Sequence, residues 1–146
     1  MAKPAGKTKD VGFQFGLQKT FSISEQKAWD FMFSGTGLKI WLGDLENFPE
    51  LKEEYQTKDG ISGFIRVFKP YSHIRMNWKK KDWNNTSTVQ VRVIGKDTSK
   101  SMISFHQEKL TGPEQKLTGP EQRAEMKEYW NEKMAEIVKE IKKANS

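Results

Sequence analysis

The sequence predicts an α+β fold, in which a long C-terminal helix lies across a curved antiparallel sheet and closes an apolar cavity. Three observations predict it. Through the middle of the chain, apolar and polar residues alternate in short segments, the period of strands with one buried face. Turn residues punctuate these segments, so successive strands form hairpins and pair antiparallel. Near the C-terminus the period changes. Met126, Tyr129, Trp130, Met134, Ile137, Val138 and Ile141 recur at helical steps and make one apolar stripe. A helix this polar on its other faces is marginal alone in water, so the stripe needs a partner, and the apolar face of the sheet supplies it. Serial strands followed by a helix give α+β rather than a doubly wound sheet.

Each element follows in turn. Residues 1–10 read as a short basic tail, carrying Lys3, Lys7 and Lys9, and residues 11–146 as one domain. Val11, Phe13, Phe15, Leu17, Phe21 and Ile23 alternate along a first strand, broken only by Lys19. Ser22-Ile23-Ser24-Glu25 matches a Ser-x-x-Glu capping box, and Trp29, Met32 and Phe33 then recur at helical spacing up to Gly35. Leu38–Leu42 groups as a second short helix. Gly35 and Gly37 between the two read as a hinge, because no Lys-Ser/Thr follows them as in a phosphate loop. Strands are expected at Glu53–Lys58, Ile61–Lys69, His73–Lys80, Thr88–Ile94 and Met102–Glu108, with turns at Asp59-Gly60, Asn84-Asn85 and Gly95–Lys100. Lys109–Gln115 and Lys116–Gln122 repeat KLTGPEQ in tandem, too short a period for a solenoid, and predict a lengthened loop before the last helix, which Pro120 opens.

Composition narrows the function. There is no Cys, so neither a disulfide scaffold nor a thiol nucleophile is available. No apolar run reaches the length of a membrane span or a signal-peptide core, which predicts a cytoplasmic chain with no membrane role. Lys and Arg outnumber Asp and Glu by 25 to 19. Apart from Lys79–Lys81 and the tail, those cations are dispersed along the sequence, and no nucleic-acid-binding motif accompanies them. The charge therefore reads as solvated surface, with no nucleic acid as partner. Nine Phe and five Trp offset a modest aliphatic content and predict a core built from rings.

Several landmarks occur in the order of one family. Phe21–Trp29 (FSISEQKAW), Leu38–Gly43 (LKIWLG), Gly60–Pro70, His73–Trp78 (HIRMNW) with Trp83, and Glu125–Ile137 with Trp130 together resemble the domain related to the activator of the heat-shock protein 90 ATPase. That family belongs to the START and birch-pollen-allergen superfamily (SRPBCC). The resemblance implies a helix-grip fold: curved sheet, two short helices and a long C-terminal helix around a cavity. It also implies three functions: hydrophobic-ligand binding, a co-chaperone-like role stimulating a chaperone ATPase, or a cyclase or dehydratase acting in the cavity. The sequence is expected to stand without the separate N-terminal domain of the eukaryotic co-chaperone, and the tandem heptapeptide is expected to alter the loop before the last helix.

No catalytic motif stands out, and no metal or cofactor is predicted. His73 and His106 are the only histidines and do not sit at metal-ligand spacing. Pockets for small molecules are mostly apolar and aromatic with a few polar groups. The expected lining is Trp41, Phe64, Phe68, Met76, Trp78, Phe105, Met126, Trp130 and Met134. Arg66 lies by alternation between Phe64 and Phe68, and if that face is inward it meets a ligand anion. The expected partner is a small hydrophobic molecule, bound without catalysis. A chaperone partner and a cavity enzyme are the alternatives.

Overall fold

The computed structural model describes residues 7–8, 12–45, 52–81, 83, 86–110 and 119–144. Its elements are β1 (Lys7–Thr8), β2 (Gly12–Phe21), α1 (Glu25–Met32), α2 (Gly35–Trp41), β3 (Glu54–Gln56), β4 (Ser62–Lys69), β5 (His73–Trp78), β6 (Ser87–Asp97), β7 (Lys100–Leu110) and α3 (Gly119–Ala144). The strands form one antiparallel sheet in the order β1-β2-β7-β6-β5-β4-β3. The predicted α+β architecture is present: α3 packs against β2 and β7 on the inner face, beside α2, while α1 lies on β6 and β7.

Alternation builds the inner face. Ile74, Met76 and Trp78 of β5 point inward beside Val89, Val91 and Val93 of β6 and Ile103 and Phe105 of β7, and all are buried. Met126, Trp130, Met134, Ile137 and Ile141 of α3 close over them, spaced three and four apart. Burying these five side chains contributes on the order of 7–15 kcal/mol gross, at about 1.5–3 each. Tyr129 and Val138 flank the stripe and are half-buried.

Local details depart from the sequence reading, each for a physical reason. The cap of α1 is Ser24, not Ser22: its side chain accepts from Lys27 N at 3.2 Å, and β2 ends at Phe21. Gly35 and Gly37 are not a hinge; they form the first turn of α2. Ser34 caps that helix by accepting from Gly37 N at 3.1 Å. Gly37 is glycine because α2 presses on the end of α1, where an added Cβ would lie 1.9 Å from Phe31 O. Lys7 and Thr8, expected in a tail, pair with Phe13 and Gly12 as β1. The Asp59-Gly60 turn, by contrast, is where it is expected, with Gly60 at the positive φ of +97° that it requires. The Asn84-Asn85 turn, the rest of the expected tail and most of the tandem heptapeptide fall outside the described residues.

Candidate functional site

Rings run through the interior in contact with one another. Tyr71 meets Trp29, which stacks on Phe33 at 4.3 Å, and Phe33 meets Trp41 edge-on. Phe68 touches both Trp29 and Phe33. Trp41 continues to Phe105, which stacks on Trp130 at 4.9 Å. Trp130 meets Trp78, and Trp83 and Tyr129 each meet Trp78 edge-on at 5.5 and 5.6 Å. Edge-on and offset pairs place the positive ring edge against the negative face, adding about 0.5–1.5 kcal/mol to burial.

Of the expected lining residues, Trp41, Met76, Trp78 and Met126 have no accessible surface, Phe105 and Trp130 have 1%, and Met134 is also buried. A chamber wide enough for a water molecule would leave accessible surface on its walls. These side chains therefore fill the space between sheet and helix rather than surround a void. Phe68 is half-buried at the Trp29 end. Phe64 and Arg66 are a correction. Phe64 is 37% exposed and Arg66 is exposed, because the inward residue of this strand is Ile65. A bulge lies between Ile65, opposite Met76, and Val67, opposite Arg75, so strict alternation fails there and Phe68 returns inward opposite Ile74. The open grooves lie outside: one of about 780 Å³ between α2 and α3, lined by Lys39, Ile40, Lys133 and Glu136, and one of about 500 Å³ on the outer side of β3 to β5.

Polar groups inside the ring cluster form a short chain. Trp130 Nε1 donates to Gln107 Oε1 at 2.8 Å, Gln107 Nε2 donates to Ser87 Oγ at 2.8 Å, and the Ser87 hydroxyl donates to Trp78 O at 2.6 Å. At the other end Trp41 Nε1 donates to Met32 O at 2.7 Å. One indole is different. Trp78 Nε1 is buried and has no hydrogen-bond acceptor among the described residues. Burial pushes the Tyr129 phenol up, the Asp59 charge adding to it, and the ammonium groups of Lys80 and Lys133 lie 5.2 and 4.8 Å from the Tyr129 ring. Burial likewise raises Tyr55, whose hydroxyl donates to Asn77 O at 2.6 Å. Lys80 also pairs with Glu125, tying the end of β5 to α3.

Trp83, Tyr129, Gln107 and Ser87 are absent from the expected lining. A signal for the last two exists in the sequence: Gln107 continues the inward series Ile103, Phe105, and Ser87 continues Val89, Val91, Val93. A polar residue at an inward position must find a partner. His73 and His106 both lie at outer positions of the sheet. Among the described residues no three His, Asp or Glu side chains gather as a metal site. No helix among them is long and apolar enough to cross a membrane.

No family model matches the chain, and no curated protein matches it. Solved structures do. DynU16, from the dynemicin biosynthetic locus, superposes with a TM-score of 0.74 at 10% identity over 88% of this chain and 47% of its own. CalU16 from Micromonospora echinospora gives 0.69 at 11% identity over 84% and 71%. An HSP90 activator from Plasmodium falciparum gives 0.60 at 16% identity over 69% and 76%. The fold is the helix-grip fold. At these identities the likeness is one of architecture, and one architecture hosts many functions.

Proposed function

We propose that this chain is a binding module for a small hydrophobic molecule bearing a hydrogen-bond acceptor, without covalent chemistry of its own. The observation that carries the reading is the Trp78 Nε1 donor within the ring cluster, unpaired among the described residues. Buried donors are nearly always paired, and leaving one unpaired costs about 1–3 kcal/mol. A guest whose carbonyl oxygen accepts from Trp78 Nε1 recovers that energy, while its apolar body lies against Trp83, Tyr129 and Trp130. Because the rings touch, the guest enters by displacing one of them. Of the rings that touch Trp78, Tyr129 is half-buried and Trp83 8% exposed, against 1% for Trp130. The HSP90 activator among the structural neighbours supports kinship with the activator family, as the sequence landmarks do.

The test is a titration with paired probes, aromatic ketones and the hydrocarbons of matching shape, followed by tryptophan fluorescence and native mass spectrometry. Ketones are expected to bind about tenfold tighter, the worth of one recovered hydrogen bond, and Trp78→Phe is expected to erase the difference. Equal affinity for ketone and hydrocarbon, or no binding of either, refutes the reading.

A further inference from the structure

The outer face of the sheet gathers cations that are scattered along the sequence. Strand register places Lys69 opposite His73, His73 opposite Arg92, and Arg92 opposite Ser104, one continuous row across four strands. Neighbouring strands lie about 4.8 Å apart, so these groups are immediate neighbours. The bulge adds Arg66, which is exposed beside the row. In the adjacent row Arg75 is held by Glu108 at 2.6 Å. Lys69, Arg66 and Arg92 have no carboxylate partner among the described residues. Of the carboxylates on this face, Glu108 is engaged with Arg75, and Glu54 lies at the β3 edge opposite Phe64. The excess charge acts on its surroundings. His73 is held below the ordinary imidazole range first by partial burial, then by Arg92, Lys69 and Arg75.

The same face exposes apolar surface. Phe64 is 37% and Val67 40% exposed, both on β4 beside Arg66. Unpaired cations beside exposed apolar side chains complement a polypeptide carrying both acidic and apolar residues. Nucleic acid fits less well, because Phe64 is a single exposed ring at the β4 end of this face and the outer positions of β5, β6 and β7 hold no Phe, Tyr or Trp, so successive bases find no row of rings to stack on. We propose that this outer face docks an acidic polypeptide segment, with Arg66, Lys69 and Arg92 engaging its carboxylates and Phe64 and Val67 its apolar side chains. The surface lies on the side of the sheet opposite the ring cluster and does not depend on a guest there.

The experiment uses the full chain and a fluorescein-labelled peptide of Glu residues interspersed with Leu and Phe, followed by fluorescence anisotropy at several salt concentrations. The triple variant Arg66→Glu, Lys69→Glu, Arg92→Glu is expected to bind about tenfold or more weakly, since like charges then face the peptide. A control with the same change in net charge on the exposed face of α3, Lys127→Glu, Lys139→Glu, Lys142→Glu, is expected to stay within about twofold, because screening confines the effect to nearby charges. Amide shifts of the unmodified protein provide a check that does not depend on the variant folding. Peptide addition should move residues of β4, β5 and β6 rather than α3. Equal losses in both triple variants, shifts confined to α3, or single-stranded RNA bound as tightly as the peptide would each overturn the proposal.

Discussion

Replacing Gln107 with Leu isolates the interior hydrogen-bond chain. Leu keeps the volume of the side chain but removes both its donor and its acceptor. Trp130 Nε1, on a side chain 1% exposed, then loses its acceptor, while Ser87 keeps its donation to Trp78 O and loses only a bond it accepted. The stranded indole donor dominates, so Gln107→Leu should destabilise the fold by about 1–3 kcal/mol, net of the better burial of Leu. For a chain of this size that corresponds to a melting temperature lower by roughly 3–10 °C. A double-mutant cycle separates this cause from general loss of packing. Trp130→Phe removes the donor itself, so in the Gln107→Leu background it should cost less than in the parent by about 1–3 kcal/mol. Urea unfolding followed by far-UV circular dichroism measures all four corners. If Gln107→Leu changes stability by less than about 0.5 kcal/mol, or the two changes add within that margin, the buried chain is not what holds Trp130 in place.

Three further outcomes follow from the geometry. Gly63→Ala should lower stability by about 1–3 kcal/mol or more in urea unfolding, because the added Cβ would stand 1.8 Å from Asn77 O and 3.0 Å from the Tyr55 hydroxyl. An unchanged midpoint would show that β4 and β5 separate freely there. Tyr55 and Tyr129 are raised by burial, so the unfolded chain releases their protons first and stability should fall as pH climbs past about 10. Native phenolate absorbance lagging that of the urea-unfolded chain tests this, and coincident titrations would contradict it. Arg92→Gln should move the NMR-measured pKa of His73 upward, since Arg92 is the leading charge that depresses it. A stationary value would mean that the two do not face each other.

The architecture was legible wherever a single period ran unbroken. The alternation of β5, β6 and β7 and the stripe of α3 place their residues as expected, because each has one wet and one dry face and a slip of one residue would invert the whole set. The interior was legible in its identity but not in its packing. Nothing in the linear order says that Trp41, Trp78, Phe105 and Trp130 meet ring to ring instead of standing around a space, which depends on crossing distances between elements far apart in sequence. Gln107 and Ser87 could have been flagged by inward register alone. The basic face could not. Lys69 and Arg92 become neighbours only through the register of strands joined by hairpins of unequal length.

The bulge in β4 decides how the two faces differ. With period two unbroken, Val67 would follow Ile65 inward and Phe68 would face outward with Phe64 and Arg66. One extra residue reverses this: Phe68 turns in to seal the Trp29–Phe33 end of the ring cluster, and Val67 is left exposed next to Arg66. The inner face thus gains a ring at its most open end, while the outer face gains an apolar contact beside its unpaired cations. A bulge commonly re-aims side chains near functional surfaces, and here it serves both at once. Binding at the ring cluster and docking on the outer face would therefore share one structural cause, with Ile65, buried at the bulge, as the side chain that anchors both arrangements.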